Sequence, residues 1–349
     1  MRTSTEVRCW GYLVPGLPTE PATRLTPERI TELDGAVAIV GNRNRLCALM
    51  PGATARCAGI EQVPTGKYDV HGYPFHAPRP SMSEIEGLTG IEQLAVGVAH
   101  VCALLSDGTV RCWGNNAMGE LGDGTRQHRT SPVAVAGLAS VVEIASGMAH
   151  TCARLADGGV HCWGGRGDSE GLALETIAGV AGATQIACGW SHSCARISDG
   201  TLRCWGSNES GQLGDGTREK ARDRTHAKVV AGLSNASGVA LGDNHSCARL
   251  ADGALACWGD NTYGEIGPSA PDDVVRVEHE GASTFRWKER YRAAIVPGIR
   301  DVVDVALGAY ISCTRTKDGS AYCFGRNDLG QVGPRERREL PEPWRIPLD

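Results

Sequence analysis

Short apolar runs separated by glycine-bearing turns recur along almost the whole chain. Val101-Cys102-Ala103-Leu104-Leu105 and Thr109-Val110-Arg111-Cys112-Trp113 are two β-prone runs parted by Ser106-Asp107-Gly108. An Asp-Gly step between such runs is a strong local signal for a β-hairpin. It returns as Asp157-Gly158, Asp199-Gly200, Asp252-Gly253 and Asp318-Gly319, with Pro51-Gly52 in a weaker copy. A three-residue loop with left-handed glycine sets Leu105 opposite Thr109, and therefore Cys102 opposite Cys112. Upstream strands are expected at Val141–Ala145 and Asp301–Ala306. A fourth is expected near Ser131–Val135, where Pro132 suits an edge position.

Aligned on the second cysteine of each hairpin, the units fall at residues 9, 57, 112, 162, 204, 257 and 323. Four strands per unit and seven units predict an all-β, seven-bladed β-propeller with an incomplete first blade. A β-solenoid has shorter rungs and lacks paired Asp-Gly hairpins. The expectation is one propeller over residues 1–349, with insertions at about 60–90 and 268–298.

Composition agrees with many tight turns: 46 Gly, 8 Trp and 3 Phe in 349 residues. The formal net charge of −5 argues against a dedicated nucleic-acid binder, whose domain is usually basic. No apolar run approaches the roughly 18 residues of a membrane helix.

The unit reads His-x-Cys-Ala-Leu-x-x-Asp-Gly-x-Val-x-Cys-Trp-Gly-x-Asn-x-x-Gly-Gln/Glu-Leu-Gly-Asp-Gly-Thr, best kept in His100–Thr125 and His192–Thr217. It resembles the repeat of the regulator of chromosome condensation family. The resemblance implies a seven-bladed propeller and leaves function open, because a scaffold does not fix the site grafted onto it. The family's founding member exchanges guanine nucleotide on a small GTPase, and secreted relatives inhibit β-lactamases through loop aromatics. The related plant ultraviolet-B photoreceptor uses Gly-Trp-x-His-Thr copies, to which Gly189–Ser193 alone comes close here.

The 14 cysteines form six pairs of one spacing, 47/57, 102/112, 152/162, 194/204, 247/257 and 313/323, with Cys9 and Cys188 left over. Opposed residues of a hairpin lie within disulfide reach, so a cross-strand bond in each blade is the leading reading: Cys47–Cys57, Cys102–Cys112, Cys152–Cys162, Cys194–Cys204, Cys247–Cys257 and Cys313–Cys323. Buried thiols are the second reading. Zinc is the third, since His100, His150, His192 and His245 precede a first cysteine by two residues. Each such set lacks a fourth ligand, however, and Arg45 and Ile311 replace the histidine elsewhere. The histidines are expected to bond a neighbouring backbone. Disulfides place the protein in an extracellular or periplasmic compartment; thiols would leave it in the cytoplasm. Residues 1–7 hold no signal-peptide core. Cys9 would need a partner ahead of Met1, so an upstream extension is expected to supply that strand and a secretion signal.

Two stretches depart from the repeat. Between Pro268 and Pro297, basic and aromatic residues interleave at Arg286, Trp287, Lys288, Arg290 and Tyr291. Such a patch can grip a nucleic-acid strand, meet an acidic partner, or be a solvated loop. Between Lys67 and His76, the residues His71, Tyr73, Phe75 and His76 could line a pocket or cover a weak blade. Leu121–Thr125 and Leu213–Thr217 look faintly like calcium loops but read better as turns. No Walker loop, Gly-x-Ser-x-Gly elbow or His-Glu-x-x-His motif is present. The expectation is a monomeric, non-enzymatic binding protein with a protein partner and with no cofactor, metal or nucleic acid. An exchange-factor-like regulator of a small GTPase, or a propeller hydrolase or lyase with an axial-face site, is the alternative.

Overall fold

The computed structural model describes residues 7–12, 23–42, 45–68, 74–165, 173–268, 274–279, 282–328, 330–332 and 339–346. The fold is an all-β propeller, and the described residues build six four-stranded blades. Strands a to d follow chain order in each. Blade 1 comprises Ala38–Gly41, Arg45–Met50, Thr54–Tyr68 and Pro74–Glu84. Blade 2 comprises Ile91–Val96, His100–Leu105, Val110–Gly114 and Arg129–Ala134; blade 3 comprises Val141–Ser146, His150–Leu155, Val160–Gly164 and Glu175–Thr176. Blade 4 comprises Ala183–Cys188, His192–Ile197, Leu202–Asn208 and Glu219–Val229. Blade 5 comprises Ala236–Leu241, His245–Leu250, Leu255–Gly259 and Arg290–Ile295; blade 6 comprises Val302–Leu307, Ile311–Thr316, Ala321–Arg326 and Glu339–Arg345.

The expected seventh blade is corrected to a two-stranded sheet, Arg8–Tyr12 with Thr23–Arg29. Its Cys9 stands opposite Glu28, so the first unit pairs forward in sequence and forms no cysteine hairpin. The chain divides into two units: residues 1–156 with 161–175, holding this sheet, blades 1 and 2 and most of blade 3, and residues 157–160 with 176–349, holding blades 4 to 6.

Turn chemistry dictates the b–c hairpins as the sequence predicts. Leu105 N–H donates to Thr109 O at 2.9 Å, Gly108 takes φ +76°, and Asp107 Oδ1 accepts from the Thr109 amide at 2.9 Å. Cys102 therefore faces Cys112, and the same register holds in blades 1, 4, 5 and 6. All six expected disulfides are present, with Cα atoms 4.0–4.1 Å apart. The zinc reading falls, because these sulfurs bond one another. Closing a ten-residue separation stabilises the fold by about 2–3 kcal/mol per bond through the unfolded chain.

Four of the disulfides pack against the next blade within their own unit, as Cys47 and Cys57 do against Ile91, Leu94 and Trp113. In the first unit, Cys102, Leu104, Val110 and Cys112 pack against Ile144, Ala153 and Trp163. In the second, Cys194, Leu202 and Cys204 meet Ala248 and Trp258, and Cys247, Leu255 and Cys257 meet Val302 and Phe324.

Polar seams run beside these cores. His100 Nε2 lies 2.8 Å from Thr151 Oγ1, His192 Nε2 2.9 Å from Ser246 Oγ, and His245 Nε2 3.1 Å from Ser312 Oγ. Each partner is a hydroxyl of the following blade, and at His245 the expected backbone partner, Ile311, is present as well. Ser246 Oγ donates to Gln212 O and Ser312 Oγ to Glu265 O, so His192 and His245 donate through Nε2–H. The ring folds back so closely that a Cβ on Gly97 would lie 2.1 Å from His100 Cε1, which requires glycine there. Two glutamines add clamps. Gln93 Nε2 donates to Ile144 O at 3.0 Å while its Oε1 accepts from Ile144 N–H at 2.9 Å. Gln185 grips Val239 in the same way, at 3.0 Å for both bonds.

Burial pushes His100 and His245 down to about 3, with Arg45 and His150 adding to the effect at His100. Unfolded histidine titrates near 6.5, so between these values the unfolded chain binds more protons. Stability is undiminished above pH 6.5 and falls with acidification by about 1.4 kcal/mol per pH unit for each histidine. Denaturant unfolding from pH 7 to pH 4.5 should show this slope, and His100→Gln with His245→Gln should flatten it.

Candidate functional site

Among the described residues, the c–d connections of blades 2, 4 and 5 share one set of side-chain hydrogen bonds. Asn116 Nδ2 donates to Thr125 O, Gln127 O and Asp123 Oδ1, while its Oδ1 accepts from Leu121 N–H at 3.0 Å. Asp123 spends its other oxygen on Arg129 Nε at 3.1 Å. Asn208, Asp215 and Thr217 repeat the arrangement in blade 4. These donor sets belong to turns, and the calcium-like text is turn chemistry.

A Glu/Gln column ties each connection to the following blade. Glu120 accepts from Asn115 Nδ2 at 2.8 Å and Met118 N–H at 2.7 Å, and its carbonyl accepts from Trp163 Nε1 at 2.9 Å. Gln212 accepts from Ser210 N–H, and its carbonyl from Trp258 Nε1. Glu265 accepts from Tyr263 N–H at 2.7 Å. Burial raises Glu120 above the ordinary carboxylate range, against the hydrogen bonds it accepts.

One cluster at this end of the second unit was not singled out by sequence. Tyr263, in the c–d connection of blade 5, meets Tyr310, in the a–b connection of blade 6, edge-on with centroids 5.0 Å apart. The Arg326 guanidinium lies 5.3 Å and 5.6 Å from the two ring centroids. Asp328 pairs with Arg326, whose Nε donates at 2.8 Å. Partial burial opposes it, yet the Arg326 hydrogen bond holds Asp328 below the ordinary carboxylate range. All three cluster side chains are half-buried. The signal lay in repeat columns: Tyr263 takes the place of Met118 and Ser210, and Tyr310 that of Ala99 and Ser191.

The 268–298 insertion divides in two. Val274–His279 pairs with Ala282–Trp287 as a separate two-stranded ribbon, with Arg286 opposite Val275 and Trp287 opposite Val274. Lys288 is exposed, and its carbonyl accepts from Asn261 Nδ2 at 3.3 Å. Arg290 is 9% exposed and donates to Ile266 O and Gly267 O, inside its own blade. Tyr291 donates to Glu289 at 3.2 Å and covers Gly211, where a Cβ would lie 2.2 Å from its ring. In the other stretch, strands c and d of blade 1 pair as far as Tyr68 opposite Pro74, with His76 opposite Pro64 and Phe75 between them. His71 and Tyr73 lie outside the described residues. Cys188, outside the six pairs, accepts from Ser193 Oγ at 3.4 Å.

Fold and connections together define a disulfide-stapled repeat propeller. The chain belongs to the regulator of chromosome condensation (RCC1) repeat family, whose repeat matches at 91–120, 141–170, 183–212, 237–265 and 302–331, and in a longer form at 107–154 and 199–249. It is 31% identical over 137 residues to the guanine nucleotide exchange factor SRM1 of Saccharomyces cerevisiae, covering 39% of this chain and 26% of that protein. It is 30% identical over 127 residues to the human E3 ubiquitin-protein ligase HERC2, covering 35% of this chain and 2% of that protein. Yeast RCC1 (Prp20) bound to Kap60 has a similar fold, with TM-score 0.81 at 21% identity over 99% of this chain and 84% of that one. Human WBSCR16 superposes with TM-score 0.74 at 18% identity, over 99% and 94% of the two chains. These two likenesses establish the shared fold alone.

Glu120→Gln keeps an acceptor for Met118 N–H and removes a buried charge. A carboxylate with a raised folded pKa destabilises the fold at neutral pH and ceases to do so as acid protonates it. The variant should be more stable than the parent at pH 7, with the advantage shrinking toward pH 4, in parallel thermal melts.

Proposed function

We propose that this chain is a non-enzymatic binding protein that offers the connections at one end of its blades to a protein partner. The Tyr263–Tyr310–Arg326 cluster carries the reading. Aromatic residues and arginine dominate interface hot spots, and side chains already held against one another lose little freedom on binding. The Val274–Trp287 ribbon leaves the same c–d connection of blade 5 and adds the Phe285-Arg286-Trp287-Lys288 stretch as a second contact element. Six disulfides support a non-reducing compartment, extracellular or periplasmic. Relatives of this fold bind proteins: Prp20p is described with its binding to Gsp1p and histones. The likeness to SRM1 supports a second reading, nucleotide exchange on a small GTPase.

A photoreactive phenylalanine analogue placed at Tyr263 or Trp287 should give one discrete protein adduct in the native extract. The same analogue at Val142, 45% exposed on a blade strand, should give none. Adding the Tyr310→Ala/Arg326→Ala pair to the Trp287 probe should weaken capture by about thirtyfold, as loss of a 2 kcal/mol hot spot requires. Equal labelling from all three positions, or none from Tyr263 and Trp287, would reject the reading. Release of bound nucleotide from a captured GTPase would select the second.

A further inference from the structure

The six disulfides do not share one environment. Each crosses its blade in a row set by register. In blade 2 the row is Ala95, Cys102, Cys112 and Val133; in blade 5 it is Ala240, Cys247, Cys257 and Ala294. Both half-cystines are 0% exposed in these two rows, as they are in blade 4. In blades 1 and 3 the second cysteine reaches 5% and 7%, and the first stays at 0%. In blade 6 the row is Ala306, Cys313, Cys323 and Trp344. Here Ala306 is exposed, Cys313 is half-buried, and Trp344 is 41% exposed. Cys323 remains 2% exposed. Arg315, two residues beyond Cys313 on the same strand, has a side chain 58% exposed. Of the twelve half-cystines, Cys313 alone is not buried, and Ala306, its neighbour in the row, is open as well.

We propose that the Cys313–Cys323 bond is a thiol-exchange site, with Cys313 as the sulfur that takes the adduct and low-molecular-mass thiols as its ligand class. Exchange requires an in-line approach of a thiolate to one sulfur, so access selects the site. The incoming thiolate bonds to Cys313 Sγ as the bond between Cys313 and Cys323 breaks. The electron pair departs on Cys323 Sγ, which takes a proton from water. The product is a mixed disulfide at Cys313 and a thiol at Cys323. A second thiolate attacks the adduct's own sulfur, returns Cys313 as a thiol and leaves as the symmetrical disulfide. The other five bonds face the following blade or are shut in by their own sheet, so their exchange waits on local opening.

The folded protein, its pre-existing thiols first blocked with N-ethylmaleimide, is treated with reduced glutathione, quenched with a heavy-isotope maleimide and mapped by mass spectrometry. Glutathione should appear on Cys313 and heavy maleimide on Cys323, at least about tenfold faster than at any other pair, because a buried pair must first open. Faster or equal reaction at another pair, glutathione on Cys323 in place of Cys313, or no reaction before global unfolding would overturn the proposal. The Cys313→Ser/Cys323→Ser double variant keeps the five buried bonds and should take up no glutathione while folded; unchanged uptake would also overturn it. Should that variant fail to fold, the site map of the parent protein decides alone.

Discussion

The register of strands b and c is the constraint on which each blade depends. Residues on a strand alternate between faces, so a slip of one position would exchange every inward and outward side chain. In this protein neither face can yield: one carries the cysteine pair with Leu104 or Val110 and their counterparts, the other carries Trp163, Trp258 or Phe324. A covalent bond across the close, non-hydrogen-bonded pair holds the register where the hairpin turn already sets it. Local turn geometry and covalent chemistry agree, and an indole or phenyl ring in the neighbouring blade is shaped to the flat surface that results.

The legible parts of this fold were the local ones. Cysteines ten residues apart around an Asp-Gly turn carry their pairing in the sequence, because the loop is too short for alternatives. The strand before each hairpin and the proline-tolerant strand after it also show in hydrophobic pattern. The number of blades did not, since it turned on what Cys9 faces, and its partner across the sheet is Glu28, which lies in no repeat column. The insertion read as one basic and aromatic patch. Its residues alternate in chemistry, but Arg290 and Tyr291 return to strand d of blade 5, where the carbonyls of Ile266 and Gly267 and the bare backbone of Gly211 draw them inward. Tyr263 and Tyr310 come from two connections and Arg326 from the end of strand c in blade 6, so no window along the chain holds them together.

The connections are stiff for a reason that differs from the blades. Asn116, Asn208 and Asn261 each put a side-chain amide where a strand would otherwise supply backbone groups, and Glu120, Gln212 and Glu265 cap the adjoining turn. Most of these side chains are buried to within a few per cent. Polar groups buried this deeply and bonded to the turn backbone hold one arrangement, because any other leaves more donors or acceptors without water. A surface built on such turns arrives at an encounter already in shape.

The glutamine clamps have a wider consequence. A carboxamide offers one donor and one acceptor about as far apart as those of a peptide unit, so Gln93 presents to Ile144 what a neighbouring strand would present. The innermost edge of blade 3 is therefore occupied at that point by a side chain, and Gln185 does the same for Val239 in blade 5. An open strand edge invites pairing with another molecule; here the invitation is answered from within. The clamp is also a ruler. Two methylenes separate the carboxamide from its backbone, one fewer in asparagine, and glutamate lacks the donor altogether. The spacing between successive first strands, in each of these two blade pairs, is written in the length of one side chain.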